Sequence, residues 1–401
     1  MKAITGIIIL ASLSIAPMVK AENSEDLQRL IETRDCVSCD LQDADLQNMD
    51  LSGVNLEDAN LINTKLQGAN LNGANLNGAN LVNADMDGVI LSNANLQEAQ
   101  MRGVLMADAN LENANLRGVD FTLHDGERAN LQGANLQNAD LTGAYLRGIK
   151  LKEANLQGAN LANTDFSMDY PNNTTAKTAL SVATIPIPLV YPGAVLGLIG
   201  EIVIPEASAL NADVSYANLE GANLENANLQ DINFNEANLK NANLQNANLH
   251  YAYLVNTDLS NADLSNAKLT ETNMEGVNFN QANLSNADLN LSYLVGANLS
   301  NANLASAKLT EINMHKADLR DANLSDANLN LSYLVGANLS HAQLTSAQLT
   351  EINMSEADLS DANLNNARLA DTNLNNANLC GATMPDSSIS QVGCTAINVA
   401  D

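Results

Sequence analysis

A repeat of five residues constrains this chain more than any other feature. From Leu41 a large apolar residue returns at every fifth position, as in Ala59-Asn60-Leu61-Ile62-Asn63 and Ala69-Asn70-Leu71-Asn72-Gly73. The register holds to Phe166, which makes 26 steps, and a second array of 35 steps runs from Val214 to Met384. Gly126 alone departs from Leu, Met, Phe or Val at these central positions, within an irregular stretch, Thr122 to Arg128, that keeps the phase. Helices and strands hold one face inward at periods of 3.6 and 2, so neither serves a period of five. A coil with four short sides does. Each pentapeptide is then one side, and each corner a turn.

In such a coil the central residue points inward. So does the residue two before it, usually Ala, which must be small to leave room. The other three positions face water, consistent with their Asn, Asp, Ser, Thr and Gln. The residue two after the centre is Gly or Asn at 18 of the 26 steps of the first array. That preference predicts a type II turn, because both residues tolerate φ > 0.

The repeats resemble the pentapeptide-repeat family, whose motif is A-(D/N)-L-x-x, over most of the chain. The resemblance implies an all-β solenoid: a right-handed quadrilateral β-helix in two arrays, with four repeats per coil and coils stacked at about 4.8 Å. Residues 20 apart should then lie directly above one another. A short N-terminal capping helix is expected at Ser24 to Thr33. Ser24 suits the N-cap, Glu25 and Asp26 the first turn, and Leu27, Leu30 and Ile31 form an apolar face.

The organisation expected is a secretory signal at residues 1–21 and an N-terminal cap at 22–40. Array 1 follows at 41–168, an apolar insert containing Pro and Gly at 169–213, array 2 at 214–384, and a C-terminal cap at 385–401. Lys2, the apolar run Ile4 to Ile15 and the Val19-Lys20-Ala21 cleavage pattern carry the signal. They predict export to a periplasm, a thylakoid lumen or the extracellular space, where disulfides persist. The Cys36-x-x-Cys39 pair resembles the start of exported cyanobacterial members of the family. Redox and metal roles lack the βαβ setting or the nearby ligands they need, which favours a structural bridge. Cys380 and Cys394 are expected to pair likewise at the far end.

The insert carries Ile185, Ile187, Leu189, Val190, Tyr191, Val195, Leu196, Leu198 and Ile199 as candidate docking residues. Pro186, Pro188 and Pro192 rule out a regular helix through its middle. Three readings of it stand open: packing back on the rod, an exposed loop that docks on a partner or touches a membrane, and a transmembrane span.

Array 2 has a superperiod of 40 residues, two coils. Tyr253-Leu254-Val255 recurs as Tyr293-Leu294-Val295 and Tyr333-Leu334-Val335. One corner then reads Tyr251, Glu271, Leu291, Glu311, Leu331, Glu351. Tyr251, Tyr253, Val255, Leu291, Tyr293, Val295, Leu331, Tyr333 and Val335 form a candidate interaction stripe. Duplication of a two-coil unit without function would also leave it.

The net charge of −28 argues against nucleic acid or an anionic membrane surface as an electrostatic partner. His124, His250, His315 and His341 are scattered, and no catalytic, metal or phosphate-loop pattern accompanies them. The sequence therefore points away from an enzyme and from any cofactor or metal. The leading expectation is an exported scaffold with a protein partner of unknown identity. The family resemblance adds an acidic DNA mimic that inhibits a DNA-binding protein such as gyrase. A small-molecule or membrane-associated role through the insert is the remaining alternative.

Overall fold

The computed structural model describes residues 24–167 and 211–394. The signal at 1–21, the candidate docking residues Ile185 to Ile199 and the chain beyond Cys394 lie outside the described residues. One helix, α1 (Ser24–Thr33), precedes the coils. Four columns of parallel bridges define four sides. The first contains Asp35, Asn55 and Asn75, the second Asp40, Asn60 and Asn80, the third Asp45, Lys65 and Asp85, and the fourth Asp50, Asn70 and Ile90. From Asp35 to Thr383 the first side makes 15 bridge steps, so the rod is about 72 Å long.

In a typical pentapeptide the backbone is fully accounted for. In Asp263-Leu264-Ser265-Asn266-Ala267, the Asp263 N–H donates to Ala242 O of the preceding coil at 2.9 Å. Leu264 and Asn266 donate to Asn283 O and Ser285 O of the following coil at 2.7 and 3.0 Å. Ala267 donates to Leu264 O at 3.0 Å and closes the turn, with Asn266 at φ 59°. One N–H remains, that of Ser265, and the Asp263 side chain accepts it at 3.0 Å. Asn and Asp are the side chains that reach this donor, as in an Asx turn.

This last bond corrects one expectation. The residue before the centre does not simply face water. Its side chain is half-buried and forms ladders between coils. Asn283 donates to Asp263 Oδ1, Asn303 to Asn283 Oδ1, and Asn323 to Asn303 Oδ1, each at 3.0 Å. Each of these amides donates toward the N-terminus, so a carboxylate, which only accepts, suits the start of a ladder. Burial would raise the Asp263 carboxyl, but bonds from Ser265, Gln245 and Asn283 outweigh it and hold the group below the usual range. Asn303→Asp should therefore cost about 1–3 kcal/mol at neutral pH, since two acceptors then face each other. Protonation restores a donor, so the deficit should shrink below about pH 4, read by urea unfolding across pH.

The centres and the residues two before them form one continuous buried core from Leu30 to Ala382. Cys36 occupies a central position and Cys39 the usual Ala position, so their disulfide continues the core in place of a Leu and an Ala. The sulfurs are bonded with Cα atoms 5.2 Å apart, and both residues are buried. The coil thus begins at Asp35, one repeat before Leu41. From α1, Leu30 is buried on this end, whereas Ile31 is 54% exposed and does not join the apolar face expected of it. At the other end the chain reverses. Thr383 pairs antiparallel with Ile389, Leu379 N–H donates to Val392 O at 2.9 Å, and Cys380 is bonded to Cys394. The last coil's edge is thereby covered, as an open solenoid end requires.

Two excursions break the 20-residue spacing. In array 1, Leu105 pairs with Asn130 and Asp120 with Tyr145, 25 residues apart. The repeat containing Gly126 is therefore not a side of the coil. His124 and Glu127 exchange backbone bonds of 3.0 and 2.8 Å around Asp125 (φ 49°) and Gly126 (φ 87°), a two-residue hairpin thrust outward. Asp-Gly is the usual sequence of such a type I′ turn. The second excursion is the insert. Lys150 pairs with Asp213, Asn155 with Asn218, Asn160 with Asn223 and Asp165 with Asn228. The two arrays are consecutive coils of one ladder, and the insert leaves it and returns at a single corner.

Candidate functional site

Both excursions and the candidate stripe lie along the same corner, between the second and third sides. The corner follows the column of centres Phe121, Leu146, Phe166, Leu229 and Leu249, which continues through Leu269, Leu289, Leu309 and Leu329. The hairpin emerges after Phe121 and the insert after Phe166. Below them the same corner presents Asp231, Tyr251, Glu271, Leu291, Glu311, Leu331 and Glu351.

Two arginines from earlier coils pin the feet of the insert. Arg147 Nε and a terminal nitrogen reach Asp165 Oδ2 at 2.7 and 2.6 Å, and Ser167 N–H donates to Asp165 Oδ1 at 3.0 Å. Burial alone would raise the Asp165 carboxyl, but the bonds from Ser167 and Arg147 outweigh it and hold it low. Arg128, just past the hairpin, donates to the carbonyls of Gly148, Ile149 and Asn211. The hairpin thus supplies the cation that fixes the returning end of the insert.

The structure brings the predicted stripe together in the alternation that the 40-residue superperiod implies. Tyr253, Asn273, Tyr293, Asn313, Tyr333 and Asn353 are successive bridge partners on the third side. Each Tyr shares its coil with a corner residue (Tyr251, Leu291 or Leu331) and a valine (Val255, Val295 or Val335). The intervening coils present Glu271, Asn273 and Glu275, then Glu311, Asn313 and His315. Apolar bands therefore recur every two coils, about 9.6 Å apart, with polar bands between them.

Buried hydroxyls tie each apolar band to its polar neighbour. Ser292 Oγ donates to Leu269 O at 2.5 Å and accepts Thr272 N–H at 3.0 Å. Ser332 does the same for Leu309 O and Ile312 N–H, at 2.6 and 3.2 Å. From the other direction, Asn290 Oδ1 and Asn330 Oδ1 accept Thr310 N–H and Thr350 N–H at 2.8 and 2.9 Å. These bonds make two coils one unit and give the 40-residue superperiod a physical basis. The positions of Ser292 and Ser332, where Ala is usual, carried that signal in the sequence.

The corner residues are unusual for their backbone. Tyr251, Leu291 and Leu331 have φ of 60°, 62° and 62°, where a side chain costs about 1–2 kcal/mol. Leu291 is 39% and Leu331 49% exposed, so neither recovers that cost by burial. The Tyr251 hydroxyl lies 3.4 Å from Glu271 Oε1; burial, and then the Glu271 charge, raise its pKa. Burial and Asp231 likewise raise Tyr253, and burial and Glu275 raise Tyr293. Asp231, at the head of the corner, is raised by burial.

No other site of comparable definition exists among the described residues. No group of three or more His, Cys, Asp or Glu is placed to hold a metal ion. A cavity of about 90 Å³ beside α1, lined by Leu30, Ile31, Met49 and Val54, falls short of the roughly 300 Å³ of ordinary ligand pockets. No described helix is long and apolar enough to cross a membrane.

Comparison with known proteins identifies the architecture. The Pentapeptide repeats family matches overlapping stretches covering residues 39–167, 217–281 and 322–392. A second description, Pentapeptide repeat region, matches 262–339. Among solved structures, HetL, a pentapeptide repeat protein involved in heterocyst differentiation regulation in the cyanobacterium Nostoc, is 31% identical. The match covers 64% of this chain and 91% of HetL, with a TM-score of 0.29. QnrB1, a plasmid-mediated fluoroquinolone resistance protein, is 19% identical over 41% of this chain and 83% of its own, with a TM-score of 0.24. A pentapeptide repeat protein of the Arabidopsis thaliana thylakoid lumen is 23% identical over 34% and 71%, with a TM-score of 0.18. No curated protein matches the sequence. Five-residue steps, four bridged sides and family matches over most of its length place this chain in the pentapeptide repeat family, the right-handed quadrilateral β-helices.

Proposed function

We propose that this protein is an exported, non-enzymatic scaffold that holds a protein partner on the banded corner of its rod. The observation that carries this is the pair Leu291 and Leu331, exposed and at positive φ where Asn or Gly would be better tolerated. A rod under selection for stability alone has no use for them. Tyrosines beside aliphatic side chains, rimmed by carboxylates, are the composition of a protein contact. Export is supported by the leader-like start and by four cysteines joined as two bridges with none free.

The test is cross-linking in cells that express the full chain or its Leu291→Asn/Leu331→Asn variant. Asn relieves the backbone cost, so the unfolding midpoint should stay level or rise by a few degrees. Capture of a discrete exported partner should fall roughly tenfold, the equivalent of about 1.4 kcal/mol. Equal capture by both proteins would reject the corner as the contact surface. Because stability and capture are expected to move in opposite directions, misfolding cannot imitate the result.

A further inference from the structure

We propose that the banded corner holds a basic, proline-rich segment of its partner, laid along the rod as a left-handed polyproline II helix. The inference rests on that corner being a contact face for a protein and names the form of segment that fits it.

The first ground is period. The bands headed by Tyr251, Leu291 and Leu331 stand about 9.6 Å apart, so all three span about 19 Å. A polyproline II helix has three residues per turn and rises about 3.1 Å per residue, so one face returns every turn, about 9.3 Å. Two of its turns therefore meet three bands to within about 1 Å. The heptad positions of an α-helix return after about 10.5 Å and overshoot the third band by about 2 Å. A β-strand returns to one face about every 6.7 Å and misses the second band.

The second ground is a set of free donors. On the third side the amide ladder runs from Asn233 to Asp213 and from Asn373 to Asn353, each bond being 3.0 Å. Between these bonds Tyr253, Tyr293 and Tyr333 stand where an accepting side chain would be. The Oδ1 atoms of Asn273, Asn313 and Asn353 still accept the N–H two residues on, at 3.2, 3.1 and 3.1 Å. Their Nδ2 groups have no hydrogen-bond partner among the described residues. One free amide thus follows each Tyr, at the same interval of about 9.6 Å. A polyproline II chain makes no internal hydrogen bonds, so it brings a carbonyl to each of these amides at a matching interval.

The third ground is charge. The stacked segments 251–255, 271–275, 291–295, 311–315, 331–335 and 351–355 carry Glu271, Glu275, Glu311 and Glu351 and no Lys or Arg. None of the four carboxylates forms an ion pair among the described residues. Lys308, on the neighbouring second side, is already held by Asp288 at 3.2 Å. Lys or Arg placed between the apolar residues of the segment would meet these carboxylates, which selects a basic partner. Proline presets the extended conformation, so less chain entropy is lost on docking against the aromatic bands.

The experiment titrates the full-length protein into three fluorescently labelled peptides and reads anisotropy. One peptide is five repeats of Pro-Leu-Arg, the second holds the same residues in an order without a period of three, and the third is a helical heptad peptide of Leu, Lys and Ala. The first should bind roughly tenfold more tightly than either of the others. Salt at about 1 M should remove most of that binding. The variant Glu271→Gln/Glu311→Gln/Glu351→Gln should lose it likewise, with its unfolding midpoint unchanged. Equal binding of the first two peptides, or no binding of the first, would overturn the proposal by denying the period. Tighter binding of the third would overturn it and make an α-helix the occupant. Any of these failures, with partner capture still dependent on Leu291 and Leu331, removes the polyproline form and leaves the scaffold function standing.

Discussion

Leu244→Asp is expected to break the rod around its own coil and end its unfolding as one cooperative unit. Leu244 is a fully buried centre on the first side, stacked between coils whose centres are also buried. A carboxylate there has no partner, so it costs several kcal/mol in addition to the 1.5–3 kcal/mol of lost apolar burial. Leu244→Ala, which leaves only a cavity, should cost about 2–5 kcal/mol. In a solenoid each coil contacts only its neighbours, so the damage should be local. Amide protection should vanish around Leu244 and survive near Cys36 and Cys380, joined to the disulfide-bonded ends. Urea unfolding and native-state hydrogen exchange read both effects. An aspartate variant with a wild-type midpoint would contradict the inward placement of the centres.

The second large expectation concerns the insert. Removing residues 168–210 joins Ser167 to Asn211 and leaves Phe166 and Val214 five residues apart, with Ala212 and Asp213 in their usual places. Asn211 then falls at the turn position that requires positive φ, which Asn accepts. The shortened chain should fold into the same rod. Loss of the long loop would itself raise stability by on the order of 1–3 kcal/mol, less whatever contacts the insert makes. Removing one residue more, 168–211, leaves four residues for a five-residue corner and should cost several kcal/mol through broken turn and bridge bonds. Thermal unfolding of the two deletions gives the comparison. Equal midpoints, or failure of the 168–210 deletion to fold, would show that the insert does not interrupt a continuous coil.

Much of this architecture is legible in the sequence, because one rule is repeated along the chain. The inward centres, the small residue two before them and the turn residues follow from a period of five, and the stacking of Tyr253 over Asn273 follows from the four repeats per coil that the family resemblance implies. What escaped has three physical causes. The extruded hairpin adds five residues and so preserves the phase, hiding a 25-residue coil; Asp125-Gly126 was the available signal. The continuity of the two arrays depends on bridges such as Lys150 to Asp213, which no local pattern encodes once 43 residues intervene. The Asn residues before the centres read as a solvated face, whereas Asn283 and Asn303 take part in bonds between coils. As for the candidate site, its residues and their alternation with acidic ones were recognisable from the 40-residue superperiod. The hydroxyl bonds that join neighbouring coils and the corner shared with the excursions required the structure.

The central claim is that both arrays form one rod with a single specialised corner. It is tested most directly by spin labels at Asn110→Cys and Asp258→Cys, which lie on the fourth side across the insert. The bridge path Asn110, Asn135, Asn155, Asn218, Asn238, Asp258 makes five steps, about 24 Å between backbone positions. Pulsed dipolar spectroscopy should give one narrow distance consistent with that span once the label arms are included. A broad distribution, or a distance far beyond it, would mean that the arrays are separate bodies joined through the insert.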